Sequence, residues 1–162
     1  MKSVIENPMN SIIIVVGLGR SGIGAAKLLN QQGKKVVIIE KSNDEKFESI
    51  SKELNDLGIT VELGIPLEFS SFEPWLKDLS RVVISPSVPW DHPTLNNLRI
   101  QGIKVQSEIS LAWEELKHIP WIAITGTNGK TTVTKMLRHV LEKNKIKTSM
   151  GGNVGISVSD IA

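Results

Sequence analysis

Three runs of apolar, largely β-branched residues constrain this chain more than anything else in it: "SIIIVVG" at 11–17, "KVVIIE" at 35–40 and "RVVISP" at 81–86. None alternates apolar with polar, so none suits a strand with one face in water. Each reads as a strand covered on both faces, and such strands belong to parallel sheets whose crossover connections are helices. The segments between them fit. Residues 22–32 place Ile23, Ala25, Ala26, Leu28 and Leu29 on a helix that Gly33 stops. Ser42-Asn43-Asp44-Glu45 reads as a capping box ahead of Phe47, Ile50, Leu54 and Leu57, with Gly58 as the stop. "ITVELG" (59–64) alternates as a strand, "PTLNNLRIQG" (93–102) is a short helix, and "IKVQ" (103–106) is the next strand. The succession predicts a doubly wound α/β sheet over residues 11–106.

A second unit opens at Ser107, which can cap a helix over 108–117. "WIAIT" (121–125) reads as a new strand. A helix follows whose Val133, Met136, Leu137, Val140 and Leu141 keep one apolar face, and a short strand is expected at 147–150. From Ile124, which begins a glycine-rich loop, only 39 residues run to the C-terminal Ala162. With 162 residues, the chain has room for one core and part of another. Residues 107–162 thus read as the opening of a second α/β domain, and an apolar helix face at 133–141 without a partner sheet would be a patch through which copies associate.

Composition removes several classes. There is no cysteine, so no disulfide and no thiolate metal site. No apolar run approaches the ~18 residues of a membrane span, and no cleavage signal follows the N-terminal run, so a cytoplasmic protein is expected. Residues 1–117 carry 13 Lys/Arg against 15 Asp/Glu, whereas 118–162 carry 6 against 2. That basic end lacks interleaved aromatics, and nucleic acid is not the expected partner. His92, His118 and His139 read as loop or surface residues, and Trp75, Trp90, Trp113 and Trp121 as core or domain-interface packing.

Two glycine turns carry the chemistry. Gly17-Leu-Gly-Arg-Ser-Gly22 is G-x-G-x-x-G between a strand and a helix, where a backbone can approach a phosphate at a helix N-terminus. Glu40 ends the next strand, where a ribose-binding carboxylate would lie. Gly126-Thr-Asn-Gly-Lys-Thr131 is a phosphate-loop variant, with Ile124 where the strict pattern has glycine. In it, backbone amides would cradle phosphates, Lys130 would neutralise β/γ charge, and the Thr131 hydroxyl would reach Mg²⁺.

These stretches, with "SPSVPWDHPTL" (85–95), "SEIS" (107–110), "ITGTNGKTT" (124–132) and "GGNVG" (151–155), closely resemble the Mur ligases, and among them the branch that adds D-glutamate to UDP-N-acetylmuramoyl-L-alanine in peptidoglycan synthesis. The resemblance runs over nearly the whole chain. It implies a Rossmann-like, UDP-sugar-binding domain at 1–106 and, at 107–162, the incomplete start of a P-loop-type central domain that binds ATP and Mg²⁺. Gly17, Gly19, Arg20 and Ser21 would face the pyrophosphate. Glu40, Lys41, Ser85 and Pro86 would lie near uridine, and Asn153 near the muramoyl and phosphate groups. Gly126, Thr127, Asn128, Gly129, Lys130, Thr131 and Thr132 would hold ATP, with Lys130 catalytic and Thr131 on the metal. The implied reaction makes an acyl phosphate from the substrate carboxylate, which the D-glutamate amine displaces. Glu40 stands where the family has Asp, and Ser87 where it has Gly. The rival readings are a stand-alone dinucleotide-sensing module and the L-alanine-adding Mur ligase.

Overall fold

The structure, a computed structural model, describes residues 11–153 and 155–162. The N-terminal "MKSVIENPMN", assigned above to the first domain, and Val154 of "GGNVG" lie outside the described residues. Five strands form one parallel sheet: β1 (Ile12–Val16), β2 (Lys35–Glu40), β3 (Thr60–Leu63), β4 (Leu79–Ile84) and β5 (Lys104–Ser107), ordered β3-β2-β1-β4-β5. The doubly wound expectation holds, with strand limits shifted by at most two residues.

The unbroken apolar runs are explained by what covers them. Ile13, Val15, Val36, Ile38 and Val83 face a layer made by α1 (Arg20–Gln31), α2 (Glu48–Asp56) and α4 (Glu108–Leu116). Ile14, Val16, Val37, Ile39, Val82 and Ile84 face α3 (Pro93–Ile100) and the short turn of helix holding Phe72. Alternate residues of β1, β2 and β4 therefore enter two cores, each full burial contributing roughly 1.5–3 kcal/mol.

Three expectations fail. Ser42 heads no capping box: its N–H donates to Glu40 Oε1 (3.0 Å) and its Oγ accepts from Asp44 N–H (3.3 Å). Residues 121–125 form no strand, and Ile122 is exposed. A β-branched run becomes a strand only with a ladder to join, and this one has none. Residues 147–150 are likewise irregular, with a single bridge between Gly151 and Ile156.

Ser107 does cap α4, accepting from Ser110 N–H at 3.2 Å. That helix, assigned by sequence to the second unit, packs on α1, β4 and β5, and its Leu111 sits in the first core. The last helix, α5 (Lys130–Lys143), behaves differently. It has no buried residue and packs on none of the other described elements.

Candidate functional site

The chain runs from β1 outward to β2 and β3, then returns to lay β4 and β5 on the other side. Between β1 and β4 the direction of winding reverses, and the C-terminal ends of these strands splay into a crevice, the usual ligand position in open α/β sheets. Two hollows lie along this edge. The first, of about 400 Å³, is lined by Gly17, Glu40, Lys41, Ile65, Leu67, Ser87, Val88 and His92 among others. The second, of about 300 Å³, is lined by Gly19, Arg20, Ser21, Ser85, Pro86, Ser87, Gly152 and Asn153.

The glycine turn between β1 and α1 is shaped by contacts at two of its three glycines. Gly17 has φ +100°, and a Cβ there would come within 2.9 Å of Ser85 Oγ. A Cβ on Gly22 would stand 1.9 Å from the Gly17 carbonyl oxygen, so helix and strand could not approach. Gly19 has neither constraint: its φ is −86°, and nothing lies within 4 Å of a Cβ built there. The fold does not ask for that glycine. The open space above it, at the N-terminus of α1, is where an anion would sit on unpaired amides.

Glu40 props this turn from the side. Its Oε2 accepts from Leu18 N–H (2.8 Å) and its Oε1 from Ser42 N–H, so the carboxylate, which borders the first hollow, ties the β1–α1 turn to the end of β2. Each oxygen keeps a further lone pair for a ligand donor. Ser85 is buried and committed to the scaffold, its hydroxyl donating to the Val16 carbonyl (2.9 Å). Ser85 and Pro86, grouped with Glu40 by the resemblance, line the second hollow beside Arg20 and Ser21. His92, read as a loop residue, caps α3 by accepting from Thr94 N–H (3.3 Å) and borders the first hollow. Trp75 packs against the core, but Trp90 is exposed, with the Arg99 guanidinium 4.4 Å from its ring. Trp113 and Trp121 pack edge-to-face on each other at 5.1 Å.

Asn153 reaches the second hollow from the far end of the chain. The resemblance set it near the muramoyl and phosphate groups, but sequence reasoning did not single out what brings it there. Arg20 donates to the Gly155 carbonyl, and the buried Glu108 accepts from Ser159 N–H at 2.6 Å.

The second glycine loop is separate from both hollows. Gly126 (φ +146°) and Gly129 (φ +76°) take left-handed conformations that turn the chain into α5, whose first backbone donor to find a helical acceptor is Val133, on Gly129 O. Lys130 Nζ folds back onto the carbonyls of Gly126 and Thr127. The loop is largely exposed, Lys130 with it, and that side chain enters no core. Open amides and an available ammonium fit a phosphate chain. A divalent cation fares less well. Thr131 offers one hydroxyl, and among the described residues no group of three His, Asp or Glu could complete its coordination.

Comparison with known proteins reaches both glycine loops. Residues 11–107 match the family described as Mur ligase MurD-like, N-terminal domain, and residues 124–160 match the Mur ligase middle domain. The chain is 57% identical over 152 residues to a UDP-N-acetylmuramoylalanine–D-glutamate ligase of Synechococcus sp. (strain CC9902), covering 94% of this chain and 33% of that protein. It is 55% identical over 149 residues to the ligase of the same name from Prochlorococcus marinus (strain MIT 9313), covering 92% and 32%. The chain thus spans about a third of the length of the curated relatives it matches. Among solved structures, a UDP-N-acetylmuramate–alanine ligase from Thermotoga maritima superposes with a TM-score of 0.50 at 26% identity, covering 82% of this chain and 29% of that one. A murein peptide ligase from Psychrobacter arcticus shares the fold at TM-score 0.55 and 23% identity, covering 83% and 27%.

Proposed function

Because this chain belongs to the Mur ligase family, in its MurD-like branch, we propose that its sheet domain binds the UDP-sugar substrate of a D-glutamate-adding ligase and that its 126–132 loop binds the phosphates of ATP. The observation that carries the reading is the second hollow. It gathers Gly19, Arg20, Ser21 and Asn153 from opposite ends of the chain around a helix N-terminus whose glycine the fold itself does not require.

The pyrophosphate lies over Gly19, on the α1 amides and Arg20, while uridine occupies the first hollow between Glu40, Lys41 and Val88. Asn153 meets the sugar–phosphate side. ATP supplies the phosphoryl group that activates the substrate carboxylate toward the D-glutamate amine. The chain's own contribution is to hold and orient: loop amides on the phosphates, with Lys130 released from the Gly126 and Thr127 carbonyls to offset charge as the phosphoryl group moves. The residues present do not complete a Mg²⁺ site, and no step is assigned to the metal. The remaining machinery belongs to sequence of the kind found in the other two-thirds of the relatives. The expected setting is the cytoplasm, with small-molecule substrates as partners and self-association through the exposed Val133, Met136 and Val140 face of α5; no described helix is long and apolar enough to cross a membrane.

Isothermal titration tests the binding half: UDP-N-acetylmuramoyl-L-alanine should release heat and NADH none, and the reverse would favour a dinucleotide-sensing module. For the chemistry, this chain can replace the corresponding residues of the Synechococcus relative. With D-glutamate supplied, UDP-N-acetylmuramoyl-L-alanine and not UDP-N-acetylmuramate should then drive phosphate release; the opposite preference would point to the alanine-adding branch.

A further inference from the structure

Glu108 is almost wholly buried, 2% exposed, at the first turn of α4. A carboxylate there is costly unless it is bonded, and an apolar residue would serve the core as well. Its Oε1 accepts from Ser159 N–H at 2.6 Å, a buried, charge-assisted bond spanning 51 residues of sequence. On the other side of the same turn, Ser157 Oγ lies 2.0 Å from where a Cβ on Gly24 would stand, so α1 has a notch that admits it. Val158 is buried between these two fixings. The turn is tied in turn to the loop before it, because Gly152 N–H donates to the Ile156 carbonyl at 3.0 Å. That loop presents Gly152 and Asn153 to the second hollow.

We propose that Glu108 is a positioning residue for substrate binding: through Ser159 it locks the 157–160 turn onto α1 and α4, and so sets Asn153 against the sugar–phosphate hollow. The inference rests on the reading of that hollow as the UDP-sugar site. It makes a distinction that a role in folding alone would not. The first hollow is lined by no described residue from 151–160, so a ligand confined to it should be indifferent to Glu108.

Isothermal titration of the 162-residue chain with UDP-N-acetylmuramoyl-L-alanine and, separately, with UMP reads both hollows. Glu108→Ala should weaken the UDP-sugar about tenfold while leaving UMP within about twofold, the scale of one lost charge-assisted bond. Glu108→Gln, which keeps an acceptor oxygen, should recover most of the affinity. Gly24→Ala, which fills the notch from the other side, should mimic Glu108→Ala. In an Asn153→Ala background, Glu108→Ala should add less than about twofold, because both act through one contact. An unchanged UDP-sugar affinity, an equal loss for both ligands, or the same loss in both backgrounds would overturn the inference alone. A wild-type chain that binds UMP but gains nothing from the sugar diphosphate would overturn the substrate reading and this inference with it.

Discussion

Gly19 and Gly22 stand three residues apart in one turn and answer to different demands. Gly22→Ala places a methyl 1.9 Å from the Gly17 carbonyl, a backbone atom that cannot step aside. Chemical denaturation should show a loss of about 2–4 kcal/mol, typical of overpacking at a close helix–strand contact. Gly19→Ala meets nothing and keeps an ordinary φ. Its stability should change by less than about 0.5 kcal/mol, while UDP-sugar affinity falls at least about tenfold as the methyl takes the phosphate's place. Equal stability losses for the two would mean that the turn is built for packing alone. Lys130→Ala belongs beside these: an exposed side chain bonded only to its own loop should leave the unfolding midpoint unchanged yet abolish ADP binding measured by titration.

At the scale of elements, α4 is fastened to the sheet by more than its apolar face. Glu114 reaches Lys104 at 2.6 Å and Arg81 at 3.2 Å, joining the helix to β5 and β4. Partial burial raises its pKa, but the Lys104 hydrogen bond and the charges of Arg81 and Lys104 outweigh it, and the net direction is down. A carboxyl held lower in the fold than in the unfolded chain stabilises above the unfolded value and loses that contribution as pH falls. The loss should therefore begin near the ordinary glutamate value of 4.5. Solvent screening limits it to about 0.5 kcal/mol. Glu114→Gln should flatten that part of the acid limb of a stability-versus-pH curve; an unaltered limb would show that the pair contributes nothing.

Elements also show what could be read in advance. The buried strands were legible because β1, β2 and β4 are apolar on both faces, and their helices because glycines stop them. "WIAIT" carries the same composition and makes no strand, since local preference says nothing about whether a ladder exists to join. The convergence of Gly19, Arg20, Ser21 and Asn153 was legible only through resemblance, Asn153 being remote in sequence. Glu108 gave no sign, because an acidic residue in a first helical turn is ordinary on any surface helix and only burial distinguishes it.

For the molecule as a whole, the two glycine turns sit in regions of unequal stability. The sheet carries both cores, whereas α5 has 14 residues, none buried, and touches no other described element. A helix of that length without tertiary packing is marginal in water, so its opening free energy should lie near zero while β1 and β4 open only with global unfolding. Native-state hydrogen exchange should find α5 amides exchanging at least about 100-fold faster than those of Ile14 or Val83. Ligand linkage then separates the sites. The UDP-sugar at about 100 times its dissociation constant should add about 2.7 kcal/mol to the protection of the sheet and leave α5 untouched. ADP should do the converse, slowing Lys130 through Val133 while the sheet amides keep their rates. Exchange of sheet and α5 in unison, with either nucleotide slowing both, would mean that the two glycine turns belong to one cooperative unit.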